Sequence, residues 1–205
     1  MGHRRSQGSG IEQDLGAMNG GGAYPPQGSH IFYYENVILM IIGVISDTHI
    51  TDRASKLPDT IFDKFSDVDL IIHCGDITSE QVLNELGKIT DNIISVKGNM
   101  DYLDLPREKT LQINEFKIGI IHGDIIYPRG DLLKMKYYCL ENDLDILISG
   151  HTHEPLIKEL NVPELHRKIL LLNPGSPTVP RFPIKSIMKI EIKDKILNPK
   201  LIAIK

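Results

Sequence analysis

Five short apolar runs in this 205-residue chain each stop at a polar residue able to bind a metal ion. Met40 to Ile45 runs into Ser46-Asp47-Thr48-His49, and Leu70 to Ile72 into His73-Cys74-Gly75-Asp76. Ile93 to Val96 leads to Lys97-Gly98-Asn99, Ile118 to Ile121 ends at His122, and Ile146 to Ile148 ends at Ser149-Gly150-His151-Thr152-His153. Apolar runs of this length are expected as buried strands. In open α/β sheets the ligand site lies beyond the carboxyl ends of the strands. If the five strands share one sheet, Asp47, His49, Asp76, Asn99, His122, His151 and His153 converge on one crevice. Two aspartates, one asparagine and four histidines suit a pair of divalent cations, a claim that no lone His or Asp would carry.

From Met40 the expected order is strand, helix, strand, helix, strand. The first helix is expected over Leu57 to Val68, with Leu57, Ile61, Phe62 and Phe65 at helical spacing. The second starts near Thr78-Ser79-Glu80-Gln81, a capping-box pattern, and turns Val82, Leu83 and Leu86 inward. A βαβαβ run implies parallel strands with right-handed crossovers. A hairpin turning at Asn114-Glu115 is expected within Leu111 to Ile121, then a helix from about Asp131 to Glu141 and a strand over Asp145 to Ile148. Leu156 to Leu160, Lys168 to Leu172, Ile187 to Ile192 and Leu201 to Ile204 are short strands between turn residues, the pattern of antiparallel meanders. The fold class expected is α/β, two packed mixed β-sheets flanked by helices.

Residues 1–39 differ from the rest. They are rich in Gly, Ser, Gln and Pro, as in Gly20-Gly21-Gly22 and Pro25-Pro26, with no regular period before Ile31. Arg4-Arg5 is followed by no hydrophobic region, against a secretory or twin-arginine signal. The segment is expected to be a leader or extension outside the fold, with Met40 opening the domain of residues 40–205 and Tyr33-Tyr34 a candidate to dock on it or on a neighbour. The net charge of −4 and pI near 6.1 argue against a generic nucleic-acid or anionic-membrane binder. No apolar stretch reaches the length of a membrane span. The two cysteines, Cys74 and Cys139, fall in a buried strand and a helix, which fits small buried hydrophobes in a reducing cytosol better than a disulfide framework.

Asp47-x-His49, Gly75-Asp76, Gly98-Asn99, His122 and Gly150-His151-Thr152-His153 stand in the order and rough spacing of the calcineurin-like metallophosphoesterases, which the chain resembles over residues 40–205. Leu172-Asn173-Pro174-Gly175-Ser176 with Pro180-Arg181 is similar to a late signature of the small bacterial and archaeal phosphodiesterase branch; a simple strand-ending turn would read the same way. The resemblance implies an αββα sandwich and a phosphoric diester hydrolase. It assigns Asp47, His49 and His153 to one metal, Asn99, His122 and His151 to the other, and Asp76 to both. Imidazole, carboxylate and amide oxygen favour transition ions over calcium, with manganese first and nickel, iron, zinc or cobalt as alternatives. Two such ions can hold a bridging hydroxide for in-line attack on a phosphate diester, with no covalent nucleophile.

One departure concerns the residue after Gly98-Asn99. Many relatives carry a histidine there that assists the leaving group, whereas this chain has Met100, followed by Asp101, either an orienting residue or a turn aspartate. Arg181 and the loop from Asp124 to Asp131 are candidates to rim the site or simply to be solvated. His73 is expected to be packed, His166 exposed, and His3 and His30 belong to the leader. The expected partner is a small-molecule phosphodiester, without membrane or stable nucleic acid, with a homo-oligomer left open. Two alternatives share the fold: a non-catalytic scaffold resembling the retromer subunit, and a repair nuclease. Retention of all seven donors favours the enzyme over the scaffold, and the short acidic chain counts against the nuclease.

Overall fold

Alternate side chains along the central strands point to two different apolar layers, and this decides the architecture. The structure, a computed structural model, describes residues 11–12, 31–34 and 39–204. Five strands, β3 (Leu39–Ile45), β4 (Leu70–His73), β5 (Ile93–Ser95), β11 (Lys185–Lys193) and β12 (Ile196–Ile204), form one sheet in the order β12-β11-β3-β4-β5. The other contains β1 (Ile11–Glu12), β2 (Ile31–Tyr34), β6 (Glu108–Ile113), β7 (Phe116–Ile121), β8 (Ile146–Ile148), β9 (Pro155–Val162) and β10 (Arg167–Pro174), in the order β1-β2-β6-β7-β8-β10-β9.

Ile42, Val44, Leu70 and Ile72 pack with Ile118, Ile120, Ile146 and Ile148 between the sheets. Their neighbours Ile45 and Ile71 face outward onto Ile61, Phe65, Val82 and Leu86, which lie on or beside α1 (Thr60–Lys64) and α2 (Glu80–Leu86). On the far side Ile121, Leu147, Ile169 and Leu171 meet Met135 and Cys139 of α3 (Leu132–Glu141). Each such side chain removed from water contributes about 1.5–3 kcal/mol, so three apolar layers fix the helix–sheet–sheet–helix stack.

The two expected mixed sheets are present, and the five donor-bearing strands are divided between them. β3, β4 and β5 are mutually parallel in one sheet, whereas β7 and β8 are parallel neighbours in the other. Donors therefore arrive from two facing sheets. The C-terminal strands are likewise divided: β9 and β10 pair antiparallel in one sheet, β11 and β12 in the other, and β10 also runs parallel to β8.

Local expectations fare unevenly. The hairpin turns at Asn114-Glu115, and α3 is capped by the Asp131 carboxylate, which accepts from the Leu133 and Lys134 amides at 3.0 Å. Ser79 caps α2 by accepting from the Gln81 amide at 3.2 Å, but Gln81 turns to Glu85 instead of closing a capping box. The helix expected over Leu57 to Val68 shrinks to Thr60–Lys64, flanked by single turns that still bury Leu57, Phe65 and Val68. Pro58 precedes its N-cap residue Asp59, and no side chain caps it.

Part of the stretch set aside as a leader lies in the sheet. β2 pairs in parallel with β6 from Ile31 beside Thr110 to Tyr34 beside Ile113, and Phe32 and Tyr34 pack against the inter-sheet core. Ile-Phe-Tyr-Tyr suits a pleated, half-buried edge, yet four residues in a Gly/Pro-rich context show no readable period. Most of the remaining stretch, including His3 and His30, lies outside the described residues.

Candidate metal centre

The donors sit on the loops that leave β3, β4, β5, β7 and β8, and several of these loops turn abruptly. Asp47, His49, Asp76, His151 and His153 all have left-handed backbones, with φ of 55°, 46°, 54°, 67° and 61°. Such conformations cost non-glycine residues roughly 1–2 kcal/mol each and persist where surrounding bonds over-determine them. The Asp47 amide donates to Gly75 O at 3.0 Å, the His49 amide to Asp76 O at 3.0 Å, and the Gly150 amide to His122 O at 2.9 Å. Each bond ties one donor loop to the next.

Two groups of donors result. Asp47, His49, Asp76 and His153 place one potential ligand atom each within 4.8 Å of one another. His153 Nε2 is 3.3 Å from Asp47 Oδ1 and 3.4 Å from His49 Nε2. On the other side, His122 Nε2 is 3.2 Å from both Asn99 Oδ1 and His151 Nδ1. Asp76 joins the groups, because its Oδ2 lies 3.5 Å from His49 Nε2 and 3.4 Å from His122 Nε2. The structure thus brings together all seven residues singled out in the sequence.

The donor chemistry fits cations. His122 Nδ1–H donates to Cys74 O at 2.7 Å and His153 Nδ1–H to Val179 O at 2.6 Å, which leaves both Nε2 lone pairs facing the site. Nitrogen lone pairs directed at one another and at carboxylate oxygens call for a cation between them, whether a proton, as between His122 and Asp76, or a metal ion. His49 Nδ1 is buried without a hydrogen-bond partner, and Asp52 Oδ2 is 3.7 Å away.

Charge is unevenly held. Burial pushes the Asp47 carboxyl up against the pull of His122 and His153. Burial also acts to raise Asp76, but the nearby His122 and the Met100 amide, which donates to Oδ1 at 2.8 Å, outweigh it and hold that carboxyl at about 2. His122 is opposed by burial yet raised to about 9 by Asp76 and Asp47. Burial, then the charges of His122 and Arg129, press His151 down to about 4.

Supporting contacts explain residues whose roles were open. Asp101 is buried, and its two oxygens accept from the Thr78 amide at 2.7 Å and the Gly98 amide at 2.8 Å, so one carboxylate braces the loops of Asp76 and Asn99. Asn173 donates to Gly150 O at 2.8 Å, and Ser176 and Thr178 donate to Asp47 O at 2.8 and 3.2 Å. The late Asn173 to Ser176 motif therefore clamps two donor loops. Gly98 and Gly150 are required by close approach: a Cβ would overlap Asp76 at the first and Ser46 at the second. His73 is packed, its Nε2 3.1 Å from the Thr48 hydroxyl, and burial lowers its pKa to about 3. His166 is exposed, and Cys74 and Cys139 are free and buried, as expected.

A cleft of about 460 Å³ adjoins the donors, lined by Arg129, Gly130, Thr152, Glu154 and Arg181 with an apolar back of Ile126, Leu132 and Met135. The sequence pointed to Arg181 and to the loop of Arg129 without distinguishing them from solvated surface. Nothing in the local sequence shows that two loops fifty residues apart close one cleft.

Residues 40–195 match the model of the calcineurin-like phosphoesterase superfamily domain. A probable metallophosphoesterase of Methanocaldococcus jannaschii is 55% identical over 185 residues, covering 90% of this chain and 92% of that protein. Among solved structures, Vps29 of Entamoeba histolytica complexed with Zn²⁺ superposes with a TM-score of 0.67 at 26% identity, covering 80% of this chain and 99% of that one. A predicted phosphoesterase of Streptococcus pneumoniae gives 0.61 at 29% identity over 80% of this chain and 90% of its own. With more than half its length matched by the family model and a relative this similar along nearly all of it, the chain belongs to the calcineurin-like phosphoesterase superfamily.

Proposed function

We propose that this protein is a dinuclear metal-dependent phosphodiesterase. The observation that carries the reading is Asp76, whose Oδ2 stands 3.5 and 3.4 Å from one imidazole of each donor group. Asp47, His49 and His153 would hold one divalent ion, Asn99, His122 and His151 the other, with Asp76 shared. The set of four imidazoles, two carboxylates and an amide suits manganese, with nickel, iron, zinc or cobalt as alternatives. Two divalent cations there supply Lewis acidity and a hydrolytic nucleophile at neutral pH.

The chain's own residues do the rest. Asp76 and Asp47 supply the negative charge that holds cations, and neutral Asn99 limits it, so that an anionic ester is still admitted. Cys74 O and Val179 O fix the tautomers of His122 and His153 and aim Nε2 inward. Met100 spends its amide on Asp76 and offers no side-chain proton to a leaving group. Diesters whose leaving groups depart as stable anions are the favoured substrates for that reason. Among the described residues no helix is long and apolar enough to cross a membrane.

A protein-interaction scaffold of the Vps29 kind has the same fold, and a Vps29 is known with Zn²⁺, so metal binding alone does not separate the readings. Turnover does. Protein loaded with Mn²⁺ is assayed on aryl phosphodiesters and alkyl phosphomonoesters, before and after chelation. Cleavage of the diesters, lost with the chelator and restored by Mn²⁺, is expected. Metal-loaded protein inert towards every ester would contradict the enzyme reading and favour the scaffold.

A further inference from the structure

Beside the donor cluster, two guanidinium groups share a cleft in which Glu154 is the one acidic lining residue. Arg129 and Arg181 both line it, and among the described residues neither forms an ion pair. Both are anchored to the donor loops. The Arg181 amide donates to His153 O at 3.3 Å. Gly130, next to Arg129, sits so tightly over Thr152 that a Cβ there would come within 3.1 Å of its methyl group. Thr152 lies between His151 and His153, so both arginines ride on the segment that carries two metal donors.

Their charges are mutually unfavourable. Burial, then the charges of Arg181 and Arg53, lower the Arg129 pKa, and Asp47 and Asp76 oppose them. Like charges held together at the edge of a cleft lose their repulsion when an anion lies between them. Guanidinium groups do this best with a phosphoryl or carboxylate group, to which they donate in pairs. Glu154 also lines the cleft, exposed at its rim, and is the one acidic side chain an anion would meet there. Behind the arginines, Ile126, Leu132 and Met135 offer an apolar wall with no hydrogen-bonding capacity, suited to a ring or chain that links two charged groups.

We propose that Arg129 and Arg181 form a second anion subsite, and that the preferred substrate is a phosphodiester bearing a further terminal phosphoryl group. The inference rests on the phosphodiesterase reading, because the donor centre takes the scissile diester while the arginines take the second phosphate. It names the class of substrate: one whose two phosphates are joined by an apolar or aromatic-faced spacer.

The test uses Mn²⁺-loaded full-length protein and two dinucleotide analogues whose scissile ester oxygen is replaced by methylene, so that neither is cleaved. One carries a 5′-phosphate and the other does not. Equilibrium binding of the native protein is expected to favour the phosphorylated probe by about tenfold or more, the scale of a charge-assisted hydrogen-bonded contact. In the Arg129→Ala/Arg181→Ala double variant the ratio should fall towards one, with Arg→Lys at both sites keeping an intermediate preference. Equal binding of the two probes by native protein would overturn the proposal, as would a preference that survives in the double variant. Hydrolysis of bis(p-nitrophenyl) phosphate is measured in parallel. A failure there with the binding preference intact would strike the catalytic reading alone, while hydrolysis without a preference would strike only the subsite.

Discussion

The two halves of the donor cluster contain similar chemistry in unlike surroundings. Asp47, His49 and His153 are 0, 1 and 5% exposed, locked by Ser176, Thr178 and Val179 behind them. Across Asp76, His122 is as buried, but Asn99 is exposed and His151 half-buried. Burial removes competing water and fixes donor geometry, so the first half should hold an ion tightly and the second should exchange it. A substrate phosphate should approach from the more exposed side, past Asn99 and His151, whose neighbours Gly150 and Thr152 line the cleft of Arg129 and Arg181.

The largest test removes what the halves share. Asp76→Ala should leave less than one ion per chain and reduce turnover by more than about a hundredfold, since even outer contacts to metal ligands are worth 10–100-fold. Near-normal metal content by elemental analysis would mean the halves are independent. A smaller and asymmetric effect should separate Asn99→Ala from His153→Ala. The first should lose the exchangeable ion and keep the other, and the second should weaken the buried site. Identical metal losses in both variants would erase the distinction.

Protons supply a third contrast. In metal-free protein His122 is raised to about 9, so below that pH an ion entering the exposed half must displace a proton from it. Apparent affinity there should climb about tenfold per pH unit from neutrality and level off near 9. On the buried side burial lowers the His49 pKa, so that imidazole is already neutral and the rise should be shallower. Competition titrations against a chelator of known pH dependence measure both. The smallest expected change comes from Met100→His, which places an imidazole at the open side. Rates on esters with poor leaving groups should rise several-fold, short of the roughly 10²-fold or more of an established general acid. Rates on aryl diesters should barely move. A series graded by leaving-group pKa that is already flat in native protein would show that another group donates the proton.

The gathering of the candidate donors was legible because they follow directly on apolar runs, and strand ends are where side chains from distant sequence meet. Asp47, His49, Asp76, Asn99, His122, His151 and His153 announced themselves that way. Which sheet each strand joins was not legible: Ile118 to Ile121 and Ile42 to Ile45 carry the same two-residue period whether they share a sheet or face one another. Ile31 to Tyr34 was missed because four residues give no period to count, and their value lies in the edge they cover on β6. The roles of Asp101, Asn173, Ser176 and Thr178 depend on backbone groups in other loops, which no local pattern encodes. The same holds for Arg129 and Arg181, brought to one cleft only by the packing of two separate loops.

The central claim, two unequal ion sites joined by Asp76 and both needed for hydrolysis, is tested most directly by titrating metal-free protein with Mn²⁺ while bound metal and aryl-diester turnover are followed together. Two binding steps per chain are predicted, the tighter one nearly silent in turnover and the weaker one bringing activity with it. Full activity at one bound ion, or two bound ions with no hydrolysis, would contradict it.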